Sequence, residues 1–164
     1  MKRFGWIVVA TAAVVVAVVV VKLSLSGHGV PKLLGTLSLA QSVAGSDARV
    51  LVNKMHGRAI TPQDNVVGTY KGDDGSATLY VSYYPSADSA RNVARAMAHR
   101  IEAGIGPFEH FRTFAEGRDP VFMCLGLGQA HFFFVCNDRL YWLASDIGVA
   151  EVALNQLRKE ACQQ

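Results

Sequence analysis

The chain is poor in the residues that announce chemistry. It has three cysteines in 164 residues, and none falls in a C-x-x-C pair, a C-x-x-C-H haem-attachment motif or the paired Cys/His spacing of a zinc ribbon. Gly126 and Gly128 make only a G-x-G. No third glycine completes a dinucleotide fingerprint, and the pair sits in a predicted hairpin rather than at a strand-to-helix turn. No serine stands in a G-x-S-x-G context. Charge of one sign is also missing: Lys2, Arg3 and Lys22 account for the whole formal net charge of +3, and the remainder is balanced. Without a basic stripe to neutralise phosphates, nucleic acid is not an expected partner. No cofactor is expected either.

One feature is abundant. Phe4 to Val21 reads FGWIVVATAAVVVAVVVV with no charged residue. About 18 helical residues rise about 27 Å, close to the thickness of a bilayer's hydrocarbon core. The run is longer than the apolar region of a typical signal peptide, although Ser24 and Ser26 stand where a cleavage site before Gly27 would need small residues. The expectation is an uncleaved single-pass anchor over residues 1–22, with the membrane as partner through residues 4–21. The short basic start places the N-terminus in the cytoplasm and the C-terminal domain outside it, on the periplasmic side of a bacterial inner membrane. Residues 23–48, broken by Ser, Gly and Pro31, read as a juxtamembrane stalk containing a brief helix at Leu33–Val43.

The domain proper, 49–164, reads as α+β, a mainly antiparallel sheet with two helices on one face. A ββα unit occurs twice, which suggests duplication. In the first copy, strands at Val66–Tyr70 and Ala77–Tyr84 flank KGDDGS, a hairpin signal because Asp and Gly tolerate positive φ. A helix follows, capped by Ser86, striped by Ala90, Val93, Ala94, Met97 and Ile101, and ended at Gly104. The second copy has strands near Val121–Leu125, Phe132–Cys136 and Arg139–Ala144, and a helix from Ile147 to Ala161 capped by Asp146. The turn Asn137-Asp138 pairs Phe134 with Tyr141 and Phe133 with Trp142.

The cysteines are judged by register. A turn centred on Gly128 sets Cys124 opposite Phe132, and a shift of the centre moves it to Phe134. Cys124 and Cys136 therefore stand too far apart for a bridge, which needs Cα atoms within about 7 Å. A bridge from either strand to Cys162 remains open, Cys136–Cys162 being the pair put forward, and so does a set of buried free thiols.

Catalysis by Cys124 or Cys136 would need a base such as His131 or His110. Met55 beside His56, and Glu109 beside His110, suggest copper ligation or acid/base work, but neither pair has a visible second half. More telling is the run HFFFVCNDRLYWL. Alternate side chains of a strand point to opposite faces, so large aromatics are expected on a face the helices leave bare. Phe132, Phe133, Phe134, Tyr141, Trp142, Tyr80 and Tyr84 are the resulting protein-contact candidates.

The functional expectation is a non-enzymatic, membrane-anchored protein-binding domain, an accessory or assembly subunit of a membrane protein complex. The first alternative is a tethered small-molecule or metal-binding sensor or carrier with a pocket between sheet and helices, using His56, His110 or His131. The second is a thiol-dependent enzyme.

Overall fold

A computed structural model describes residues 29–56, 64–114 and 119–162. In chain order these form β1 (Leu33–Leu34), β2 (Leu37–Ala44), α1 (Gly45–His56), β3 (Asn65–Gly72), β4 (Gly75–Tyr83), α2 (Ala87–Glu102), β5 (Phe108–Phe114), β6 (Val121–Gly126), β7 (Gln129–Cys136) and β8 (Arg139–Ser145). A 3₁₀ turn at Ile147–Val149 then leads into α3 (Ala150–Ala161). All eight strands join one antiparallel sheet in the order β1-β2-β3-β4-β8-β7-β6-β5. The fold is α+β.

Tight turns drive the pairing. Asp73-Asp74 closes β3 on β4 with Gly72 opposite Gly75. Asn137-Asp138 closes β7 on β8, with Asn137 at φ +56°, the left-handed conformation that two-residue hairpins require. That turn sets Phe134 against Tyr141 and Phe133 against Trp142. Leu127-Gly128 closes β6 on β7 one residue away from the expected registers, so Cys124 lies opposite His131.

Ser86 caps α2, its hydroxyl accepting from the Ser89 N–H at 3.2 Å. Ala90, Ala94 and Ala98 then bring the helix close to the sheet. Arg91 anchors it through both Asp119 oxygens, at 2.6 and 3.2 Å.

The two faces of the sheet are both covered, which corrects the two-helices-on-one-face arrangement. α2 packs on Phe122, Cys124, Phe133, Val135, Leu140 and Trp142. α1 shares that side, since Tyr80 packs against the clusters of both helices. α3 lies on the opposite side, over Leu79, Phe132, Phe134, Tyr141 and Leu143. Strands β7 and β8 carry apolar side chains at odd and even positions alike, so each face needs its own lid. The helices after β4 and β8 therefore leave toward opposite sides, and the two ββα units are not equivalent copies.

The stalk is also corrected. Leu34 and Leu37 are fully buried in the α3-side core, β2 pairs along β3, and α1 starts at Gly45. The chain from residue 29 to 48 thus belongs to the domain. Leu33–Val43 is a β-hairpin, not a helix, because Gly35 at φ +62° reverses the chain between Leu34 and Leu37.

The expected anchor lies outside the described residues. Among those described, no helix is long and apolar enough to cross a membrane. The longest, α2, has 16 residues and is spent on the sheet. On that finding the membrane-anchored, extracytoplasmic placement is withdrawn.

Candidate functional site

Strand alternation decides what faces α3. On β4, Ala77, Leu79 and Val81 enter the core beneath it, and Tyr83 follows in the same row. On β8 that row is Leu143, Tyr141 and Arg139, with Arg139 paired to Tyr83 and to Cys136. At this end the apolar core stops and a cleft of about 600 Å³ opens. Tyr83, Arg139 and Tyr141 line it from the sheet, and Leu157, Glu160 and Ala161 from the last turns of α3. Gly29, Pro31, Ala44, Gly45, Asp64, Asn65 and Val66 add to the wall. A volume of this size is within the range of small-molecule sites.

Two ties hold the wall. Cys136, ending β7, is joined by a disulfide to Cys162, just past α3, across 26 residues of sequence. The bridge pins the C-terminus of α3 over the sheet. On the other side Tyr70 donates its hydroxyl to the Pro31 carbonyl at 2.9 Å, fastening the segment before β1. Burial, with Glu160 adding to it, raises the Tyr70 hydroxyl well above its ordinary pKa, so it stays a donor.

Arg139 is the electrostatic centre. Its guanidinium carbon stands 5.2 Å from the centroid of the Tyr83 ring, a cation–π distance. Hydrogen bonding to Tyr141 outweighs burial and favours its charged form. Asp138 lies 3.9 Å from Nε, too far for a hydrogen bond, and it is half exposed. Nε itself is buried with no hydrogen-bond partner among the described residues. Such an orphan donor is uncommon and asks for an acceptor. Desolvation raises the Tyr83 hydroxyl pKa, and the Arg139 charge opposes it.

The opposite face holds a closed polar pair in an aromatic stack. Phe122, Phe133 and Trp142 stack at centroid distances of 4.9 and 5.0 Å. The Trp142 Nε1–H donates to His131 Nδ1 at 3.2 Å, and His131 Nε2 lies 2.9 Å from the Gly126 carbonyl. An indole nitrogen is donor only, so Nδ1 must accept and Nε2 must carry the proton. Desolvation lowers the His131 pKa, with the Gly126 bond opposing it. The imidazole is held neutral with both nitrogens engaged, and no base remains for the thiol across the strand. Burial pushes the Cys124 thiol up to about 11, where little thiolate forms at neutral pH.

The structure disperses the sequence candidates. Phe132, Phe134 and Tyr141 point to the α3 side, Phe133 and Trp142 to the α2 side, and none is more than 7 % exposed. Tyr80 and Tyr84 are half-buried against the α2 cluster. The bare aromatic face is thereby corrected: helices on both sides cover it. Glu109 and His110 are exposed on the edge strand β5, His110 in a bulge at φ +54°. Nothing is described of the side chains of Met55 and His56. Among the described residues no three His, Cys, Asp or Glu side chains are grouped to hold a metal ion. Asp146 makes no cap bond; its carboxylate instead accepts from the Ser76 N–H and hydroxyl at 2.8 and 3.0 Å, joining β4 to β8.

Sequence reasoning missed Arg139 and Tyr83 as site residues. Their only local signal is position: each ends the α3-side row of its strand, where the helix above also ends.

The fold thus defines an eight-stranded antiparallel α+β domain with a lined cleft at one end of its α3-side core. No family model matches the chain, and no curated protein does. Among solved structures it is similar to a GTP binding regulator from Thermotoga maritima, at 13 % identity and a TM-score of 0.52, over 78 % of this chain and 82 % of that one. At that identity the likeness is one of fold alone.

Proposed function

We propose that the domain is a non-catalytic binding module whose cleft beneath the end of α3 takes a small organic ligand. The observation that carries this reading is a cleft of about 600 Å³ whose lining sets the Arg139 guanidinium among Tyr83, Tyr141, Asp64 and Glu160. A guanidinium in an apolar-backed recess is a recognition element, because a ligand acceptor gains a charge-assisted hydrogen bond there. The non-catalytic part rests on Cys124 and His131, the one cross-strand thiol–imidazole pair, having neither thiolate character nor a free ring nitrogen.

Guanine-nucleotide binding is not taken over from the structural neighbour. A triphosphate needs clustered cations and backbone N–H groups, whereas here one guanidinium shares the cleft with Asp64 and Glu160. The test is a thermal-shift screen of small metabolites on the full chain, repeated on Arg139→Gln. Compounds that raise the melting temperature of the native protein but not of the variant support the reading. A screen in which every hit acts equally on both removes it.

A second reading keeps the domain a protein-binding subunit and moves the contact from the buried aromatics to β5. This strand ends the sheet, pairs with β6 alone among the described residues, and leaves Phe114 exposed. An unpaired edge is a template for a partner strand. Capture of a specific partner that Phe114→Glu abolishes would favour it; capture indifferent to that change would not.

A further inference from the structure

The charges lining the cleft narrow the ligand class. Among the described residues Arg139 supplies the only cation of the lining, and Asp64 and Glu160 supply two carboxylates. A guanidinium presents paired N–H donors to two oxygens at once, the geometry that matches a carboxylate. A ligand carrying only negative charge would meet Arg139 but also face both acids. A ligand carrying only positive charge would suit the acids and be repelled by Arg139. A molecule with one carboxylate and one ammonium group answers all three.

From this juxtaposition we infer that the cleft binds a small zwitterion of the amino-acid or short-peptide kind. Its carboxylate lies on Arg139, its ammonium faces Glu160 and Asp64, and its apolar part lies against Val66, Leu157 and Ala161. Tyr83 holds the guanidinium at a cation–π distance, its carbon 5.2 Å from the ring centroid. The cleft exceeds what a free amino acid fills, so residues of moderate size or dipeptides are the better match. This inference rests on the cleft being the binding site.

The test is calorimetric titration of the full chain with two charge-matched sets: leucine and Leu-Leu, each alongside its C-terminal amide and its N-acetyl form. At least one free zwitterion binds about tenfold or more tightly than both of its single-charge analogues, the weight of a charge-assisted hydrogen bond on either end. Arg139→Gln erases the preference over the amide, and Glu160→Gln weakens the preference over the acetylated form. Equal binding of the three members of each set, or no binding by any, overturns the inference. The site reading falls separately, and only if the metabolite screen also finds no compound that depends on Arg139.

Discussion

The two faces of β7 and β8 are built from the same strands yet are finished in opposite ways. Within the aromatic stack on the α2 side the polar atoms are paired: Trp142 gives to His131, His131 is bonded to Gly126, and three rings stack around them. On the α3 side the core ends in a recess whose arginine keeps an unpaired donor and whose far wall is held by a disulfide. The closed stack stabilises, and its indole and imidazole nitrogens have no bond left to offer a ligand. The open face gives up some packing and retains an unused hydrogen bond. Residual polar capacity, more than the number of aromatics, separates the face that binds from the face that holds the fold.

Substitutions on each side should separate these roles. Phe133→Ala removes the middle ring of the stack and should cost about 3–5 kcal/mol in denaturant unfolding, the usual range for a buried phenylalanine. What remains folded should bind cleft ligands with unchanged affinity. Cys162→Ser cuts the bridge and should cost about 3 kcal/mol, while also weakening binding, because the last turn of α3 is released. The native protein in reductant should behave the same way, and identical ligand affinity with and without the bridge would show that the wall does not depend on it.

His131 should give a smaller effect that depends on pH. Its folded pKa lies below the ordinary value near 6.5, so on acidification the unfolded chain takes up the proton first. Stability is complete above that ordinary value and falls as pH drops beneath it, by at most about 1.4 kcal/mol per pH unit. Unfolding curves collected from pH 7.5 down to 5 should show this slope, and His131→Gln, which keeps a donor and an acceptor but cannot titrate, should flatten it. Arg139→Gln should change stability by less than about 1 kcal/mol, the scale of an exposed cation–π contact, and should act almost wholly on binding. The smallest effect belongs to Asp146→Asn, read as a slight loss of melting temperature at neutral pH. Hydrogen bonds from Ser76 lower the Asp146 pKa, so its contribution is present above the ordinary carboxylate range and disappears as pH falls through its folded value. The native and variant proteins should therefore converge in acid.

Local chemistry made much of the fold legible. Asp73-Asp74 and Asn137-Asp138 close hairpins where such turn residues predict, although of the four only Asn137 takes positive φ, and Ser86 caps α2 as a serine before an apolar stripe should. What local pattern could not resolve was assignment to a face. Phe132 and Phe133 read as one apolar run in sequence, and only the arrival of α2 on one side and α3 on the other buries both. The same limit hid β1 and β2, whose leucines look equally suited to a short helix until Gly35 reverses the chain. The cleft was the least legible part. Gly29, Asp64, Tyr83 and Arg139 are distant in sequence and share no motif; they meet because three elements end at the same edge of the core.

The hydrogen bond between Trp142 and His131 has a meaning beyond its contribution to the α2-side core. A strand buried on both faces gains little from hydrophobicity in choosing its alignment, since sliding by one residue exchanges one apolar set for another. In β7 only His131 interrupts the apolar sequence between Ala130 and Cys136, and in β8 the indole of Trp142 is the one ring donor that reaches it. A slip by one residue would strand both polar groups in a dry core without partners, at a cost no exchange of phenylalanines could repay. The pair thus works as an alignment key, making one strand alignment correct among several that are equally greasy, and so fixing where Arg139 must stand.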